Sequence, residues 1–238
     1  MRRVLSLYLQ YHKVQFKFLV CKMSTEERIA HSRNALIALV INNVENKLPI
    51  KEEDMRQILN KDISLFRQCL PLVMQSLKRV YGIILQKVPD SKKYICYSEI
   101  TASSPAEYDE EQCRHLTLLF VILSYLLMKD CQVDEEQLFD FLKGLRIEMD
   151  EEHPYFGGNL KKLIADTFVK QLYLKREKSE SDTDLETRYL YSWGYRATLE
   201  FPAKDVLEQT SGILGKEPRE FVAVYNKYCV NEEAMVVD

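Results

Sequence analysis

The stretch ISLFRQCLPLVMQSLKRVYGIILQKVPDSKKYICY, residues 63–97, decides the fold. Phe66, Cys69, Leu70, Val73, Met74, Leu77, Val80 and Tyr81 recur at the spacing of a helix with one apolar face. Pro71 falls inside that pattern, so the helix is expected to kink there or to begin near it. Past Gly82 the period changes. Residues 83–88 and 94–97 are short apolar runs on either side of Pro89-Asp-Ser-Lys-Lys93, which is the form of a hairpin. A helix feeding a hairpin is the second half of a winged helix, a helix-turn-helix variant.

The first half lies upstream. Ser24-Thr-Glu-Glu27 has the capping-box pattern and starts a helix that runs to about Asn46. Leu36, Ile37, Val40, Ile41 and Val44 form its stripe, with Leu39 on the far edge, an arc wider than one packed face needs. Pro49 interrupts, and residues 51–59 make a short second helix. The same order then returns. Residues 110–130 form an apolar helix, and Asp134-Glu-Glu-Gln137 caps a second helix to about Leu145. Gly157-Gly158 breaks the chain, and Asn159 caps a third helix to about Leu174. A polar linker, residues 178–187, leads to strands expected at 188–191 and 193–201 with Gly194 at a turn or bulge. Closing helices are expected at 204–215 and 219–229.

The fold class is therefore mainly α (α+β): two tandem winged-helix modules, each three helices plus a β-hairpin wing. The expected division is a flexible extension over 1–22, winged helix A over 23–104, winged helix B over 105–216, and a closing helix with acidic tail over 217–238.

Composition agrees with a globular chain. Of 238 residues, 46% are apolar and 29% charged, and seven glycines and seven prolines are few enough to favour helices. The net charge of −3 is uneven. Five of the 33 basic residues (Arg2, Arg3, Lys13, Lys17, Lys22) lie in residues 1–22 with no acid, so the remainder carries 28 cations against 36 acids, or −8. Such a body has no global attraction for phosphate, and a nucleic-acid contact needs a local basic face. Met23-Ser-Thr-Glu-Glu reads as a natural start, which favours an upstream extension over a targeting peptide for residues 1–22. The six scattered cysteines include no CxxC pair, which points to free thiols rather than zinc or a disulfide framework. The apolar run at 116–128 is too short to span a bilayer, so no membrane partner is expected.

No phosphate loop, nucleophile elbow or HExxH helix occurs, and His31, His115 and His153 stand apart from one another. The chain is read as a non-enzyme without cofactor or metal. Two surfaces remain. A flank of the first helix, Leu39 or Ile41 beside core-facing Val40, could dock a partner or be covered by later helices. Lys161, Lys162, Lys170, Lys175, Arg176 and, in the wing, Arg196 could neutralise phosphates without reading bases. The acids interleaved with them, Asp166, Glu177, Glu180, Asp182, Asp184 and Glu186, favour an ordinary solvated face.

Phe156-Gly-Gly-Asn-Leu-Lys-Lys-Leu-Ile164, then Phe168-Val169 and Tyr173-Leu174, resembles the FGDPKKLI…FVxxxYLEYR run of the MAGE homology domain, with one residue inserted and the Asp-Pro absent. Trp193-Gly-Tyr-Arg-Ala197 resembles its WGPRA signature, with tyrosine in place of proline, and residues 116–129 resemble the helix that opens its second module. In the first module Pro49-Ile50 and Val80-Tyr81-Gly82 fall at matching places, and the similarity runs from about residue 28 to 225. The resemblance implies tandem winged helices serving as an adaptor. Family members bind RING-type ubiquitin ligases. The ancestral form is the third non-SMC element of a chromosome complex for DNA repair, bridging a RING subunit and a kleisin subunit and contacting duplex DNA.

The family's RING-docking dileucine aligns with Val40-Ile41, so Leu39, Val40 and Ile41 are the expected RING contacts. Leu163, Phe168, Val206 and Leu207 are candidates for the kleisin pocket and equally suited to the core. The short flanks favour the ancestral role, stimulating ubiquitin ligation in the nucleus, with the cytoplasm a second location. A free-standing winged-helix transcription regulator is the alternative.

Overall fold

The computed structural model describes residues 24–98, 109–130, 132–179 and 188–230. The extension at 1–22 with its start at Met23, the acidic tail at 231–238, linker residues 180–187 and Cys21 and Cys131 lie outside the described residues. Residues 24–98 belong to one compact unit and 109–230 to a second.

In the first unit, helix α1 (Thr25–Val44) opens with the capping box: Ser24 Oγ accepts from the Glu27 amide, and the Glu27 carboxylate accepts from the Ser24 amide. Strand β1 (Ile50–Lys51) and helix α2 (Glu52–Ile58) follow. Helix α3 (Ile63–Ser76) starts where the Asp62 side chain accepts from the Leu65 amide, eight residues before Pro71. The proline therefore lies within the helix and does not open it. Its ring sits on the exposed face, where a missing N–H leaves no buried carbonyl without water. A π-helical turn (Leu77–Tyr81) extends α3 to Gly82, whose φ of 64° reverses the chain into the wing. The wing strands are β2 (Ile83–Lys87) and β3 (Lys93–Ser98).

The wing has a third strand that the periodicity did not signal. β1 pairs antiparallel with β3, Ile50 opposite Tyr94 and Lys51 opposite Lys93, so the sheet order is β1-β3-β2. Two residues are too short to show an alternation. Leu36, Val40, Met55, Leu59, Phe66, Cys69, Val73, Leu77 and Leu85 fill the core.

The second unit repeats the order. Helix α4 (Glu110–Lys129), capped by Asp109, is followed by β4 (Val133–Asp134) and helix α5 (Glu135–Gly144). Asn159 caps helix α6 (Leu160–Lys162), which continues as a π-helical turn (Leu163–Phe168). The wing is β5 (Leu174–Lys178) paired with β6 (Tyr189–Trp193), and β4 adds to β6 in the order β4-β6-β5. Both modules are thus winged helices with three-stranded sheets.

The expected wing boundaries in this unit were wrong. The third helix stops before Leu174, because Leu172 takes a left-handed φ of 65° and the chain enters β5. The expected strand at 193–201 is only Trp193; helix α7 (Tyr195–Glu200) follows. The cause is a backbone crossing at Gly194. Its N–H donates to the Tyr173 carbonyl and the Arg196 N–H to the Leu172 carbonyl, which turns the chain off the sheet. A Cβ at residue 194 would lie 2.3 Å from the Leu172 oxygen. Helix α8 (Ala203–Ile213) and a last helix α9 (Val222–Tyr225) with a π-helical end (Asn226–Val230) close the unit, where Val206, Leu207, Val224 and Cys229 pack on Leu127 of α4.

Gly194→Ala is expected to lower unfolding free energy by about 2–3 kcal/mol, because backbone atoms rather than a flexible side chain must yield. Ser24→Ala, which removes one cap, is expected to cost about 1 kcal/mol. Urea denaturation of the two variants checks both the values and their order.

Candidate partner-binding surfaces

The arc of α1 divides as its spacing requires. Leu36 and Val40 are fully buried in the first module's core. Leu39 and Ile41 flank Val40 half-buried, packed against the core on one side and open to solvent on the other. Of the three residues expected to meet a RING partner, Val40 therefore has no surface to offer, and only Leu39 and Ile41 can present an apolar edge.

The four residues proposed for a kleisin pocket are core. Leu163 and Phe168 belong to the main cluster of the second module, and Val206 and Leu207 to the cluster under the closing helix. Beside that second cluster lies a groove of about 460 Å³, lined by Leu126, Leu127, Trp193, Pro202, Ala203 and Tyr228 with Asp130, Lys204 and Lys227 at its polar side. Trp193, Ala203 and Tyr228 of this groove pack against the cluster to which Val206 and Leu207 belong. The sequence offered one sign of the groove, Trp193, which is too large to vanish fully into a small module.

The cations chosen for DNA contact separate sharply. Arg196 is fully buried: its Nη1 pairs with Glu200 Oε1 at 2.8 Å and its Nε donates to the Gln171 carbonyl at 2.8 Å. Glu200 also accepts from the Tyr173 hydroxyl. A side chain so enclosed cannot reach a phosphate, and its assignment as a DNA contact is withdrawn. Arg176 donates to both oxygens of Glu135 at 2.8 and 3.2 Å and lies 3.5 Å over the Tyr189 ring. Lys170 pairs with Asp166 at 2.7 Å and Lys175 with Glu177 at 2.8 Å. Lys161 and Lys162 are exposed, Lys161 at 6.0 Å from the centre of the Phe139 ring.

No group of three or more His, Cys, Asp or Glu side chains among the described residues could hold a metal. Cys69, Cys96 and Cys229 are buried and Cys113 is half-buried, and burial pushes the Cys69 thiol up. His153 Nδ1 accepts from the amides of Tyr155 and Phe156 at 3.1 Å each, a structural use that pins the turn before Gly157. No described helix is long and apolar enough to cross a membrane.

Residues 36–204 match the MAGE homology domain, which is most of the chain. The chain belongs to the MAGE family. Within it, human melanoma-associated antigen D2 is 28% identical over 82% of the chain, and the chain spans only 32% of that relative's length. The mouse non-structural maintenance of chromosomes element 3 homolog is 25% identical over 88% of the chain and 76% of its own length. Among solved structures, a chain of an Nse1-Nse3-Nse4 complex matches with a TM-score of 0.78 and 29% identity, covering 87% of this chain and 99% of that one.

Within this MAGE homology domain the Trp-Gly-Tyr-Arg-Ala stretch serves the fold. Trp193 Nε1 donates to the Leu123 carbonyl at 3.0 Å and ties the wing to α4, Gly194 permits the backbone crossing, and Arg196 joins α7 to the end of the third helix. Arg196→Ala is expected to cost about 3–5 kcal/mol, since it strands the enclosed Glu200. Lys161→Ala with Lys162→Ala should stay within about 0.5 kcal/mol for each change. Urea melts of both variants decide between a structural and a surface role.

Burial pushes the Tyr191 phenol far above its ordinary value of 10.0, and the Glu135 carboxylate that accepts its proton at 3.0 Å adds to the shift. The folded form therefore keeps a proton that the unfolded chain gives up. Stability from this group is fully present below pH 10 and falls as pH rises beyond it. Thermal melts across the alkaline range should show that fall, and Tyr191→Phe should make it shallower.

Proposed function

We propose that this chain is a non-catalytic adaptor subunit of an SMC-type chromosome complex, binding a RING ubiquitin ligase through its first module and a kleisin subunit through its second. The observation that carries the reading is the match to a chain of the Nse1-Nse3-Nse4 complex, which the present chain covers almost from end to end. The similarity to the mouse element 3 homolog over 88% of the chain supports the same role. Such a subunit works on chromosomes in the nucleus and stimulates ubiquitin transfer by holding the ligase in place.

The RING contact is assigned to the Leu39 and Ile41 edge of α1, where apolar atoms remain in water. For the kleisin helix the groove between Trp193 and Tyr228 is the fitting seat. It offers an amphipathic helix an apolar floor, with Lys204 and the Asp130–Lys227 ion pair at its rim. Duplex DNA is a third partner in this reading. Lys161 and Lys162 alone would give a salt dependence of only about −2 in log–log slope.

Affinity purification of the tagged chain, followed by mass spectrometry, should recover SMC-type ATPases, a RING protein and a kleisin together. Leu39→Glu with Ile41→Glu should remove the RING protein and leave the kleisin. Lys204→Glu with Tyr228→Asp should do the reverse. Circular dichroism of each variant must remain that of the parent. Recovery of none of the three partners by the parent chain would sink the reading.

A further inference from the structure

We infer that the duplex-DNA contact of this chain is the outer face of α3 together with the wing of the first module. The inference rests on the reading that the chain works on chromosomal DNA, and it names the surface. Residues 63–89 contain no aspartate or glutamate, although 36 acids in 238 residues would place about four in a stretch of that length. Over residues 63–98 six cations, Arg67, Lys78, Arg79, Lys87, Lys92 and Lys93, stand against Asp90 alone. All six are exposed.

One helix and the hairpin that follows it carry all six. The core takes Leu65, Phe66, Cys69, Val73 and Leu77 from one side of the helix. Arg67, Gln68, Pro71, Gln75, Lys78 and Arg79 are left on the opposite side. The helix passes through Gly82 directly into the hairpin, whose far end and turn carry Lys87, Lys92 and Lys93. Lys78 and Arg79 also complement the carboxyl end of the helix, but that leaves Arg67 and Lys87 unexplained; Lys92 and Lys93 lie beside the acidic first turn of α2, where the Glu52 amide donates to the Lys92 carbonyl, yet neither lysine makes an ion pair with it. A helix and an adjoining hairpin with cations on the outer face suit a groove and its flanking phosphates. Tyr81, half-exposed beside Arg79, adds a hydroxyl donor of the kind that also meets phosphate oxygens.

The contrast with the second module is one of availability. There Lys170, Lys175 and Arg176 each have a carboxylate partner, and Arg196 is enclosed. In the first module Arg67, Arg79, Lys87, Lys92 and Lys93 make no side-chain ion pair with a described residue. The nearest acid before the helix, Asp62, is already held by Arg28. Cations without carboxylate partners can exchange their counterions for phosphate at no cost in broken pairs.

The test is fluorescence anisotropy of the full chain with a duplex of arbitrary sequence, between about 50 and about 200 mM salt. The parent should show a log–log slope of about −4 to −5. Arg67→Glu with Arg79→Glu and Lys92→Glu should weaken binding at least about tenfold and flatten the slope by about 3. Lys161→Glu with Lys162→Glu should change affinity by less than about threefold. Where charge reversal disturbs folding, the glutamine versions of the same three changes give the slope instead. First-module variants that stay folded and bind like the parent overturn the inference, as does loss of binding in the second-module variant. Failure of the parent to bind any duplex removes the DNA contact altogether. Co-purification of the ligase and kleisin partners would be untouched by that result and judges the adaptor reading separately.

Discussion

Backbone pairing between the wing's returning strand and the two residues after the first helix closes both modules. Ile50 meets Tyr94 across 44 positions of sequence, and Val133 meets Tyr191 across 58. Without these pairs each hairpin would be a local appendage on its third helix, and two-stranded hairpins are marginal in water. With them the hairpin becomes a three-stranded sheet that fixes where the second helix starts, since α2 follows β1 directly and α5 follows β4. The entropy lost in closing so long a loop grows only slowly with its length, and the buried side chains on either side offset it. Leu36, Val40 and Leu85 in one module and Leu118, Ile122 and Tyr191 in the other belong to the cores so enclosed.

The Trp-Gly-Tyr-Arg-Ala stretch shows how a sequence marker of a family can be a marker of architecture. Each of its distinctive residues answers a mechanical need of the second module: an indole donor for a helix carbonyl, a residue without a side chain where two backbones cross, and a guanidinium that satisfies a buried carbonyl and carboxylate at once. None of them is spare for a ligand except the face of Trp193, which lines the groove. Burial of Arg196 is tolerable because Gln171, Glu200 and the Tyr173 ring replace its lost water.

Charge follows the same logic in reverse. A count of lysines and arginines directs attention to the second module, whereas the folded chain spends most of those cations on Asp166, Glu177, Glu135 and Glu200. What matters for a polyanion is the population of cations with no carboxylate at hand, and the longer acid-free run lies in the first module.

Much was legible from the sequence alone. The capping box at Ser24, the apolar helix from Glu110, the Asn159 cap, the first hairpin and the winged-helix order all follow from local periodicity and turn chemistry, because those signals act within a few residues. Tertiary structure decided the rest. The charged strand Leu174–Lys178 carries no alternation and becomes a strand only because β6 lies beside it. The chain leaves the sheet after Trp193 because a distant backbone crosses at Gly194. Burial of Arg196, Val40, Leu163 and Phe168 depends on what packs over them. Periodicity marks which residues prefer to leave water, but only the packed neighbours determine which ones do, and which charges find a partner on the way.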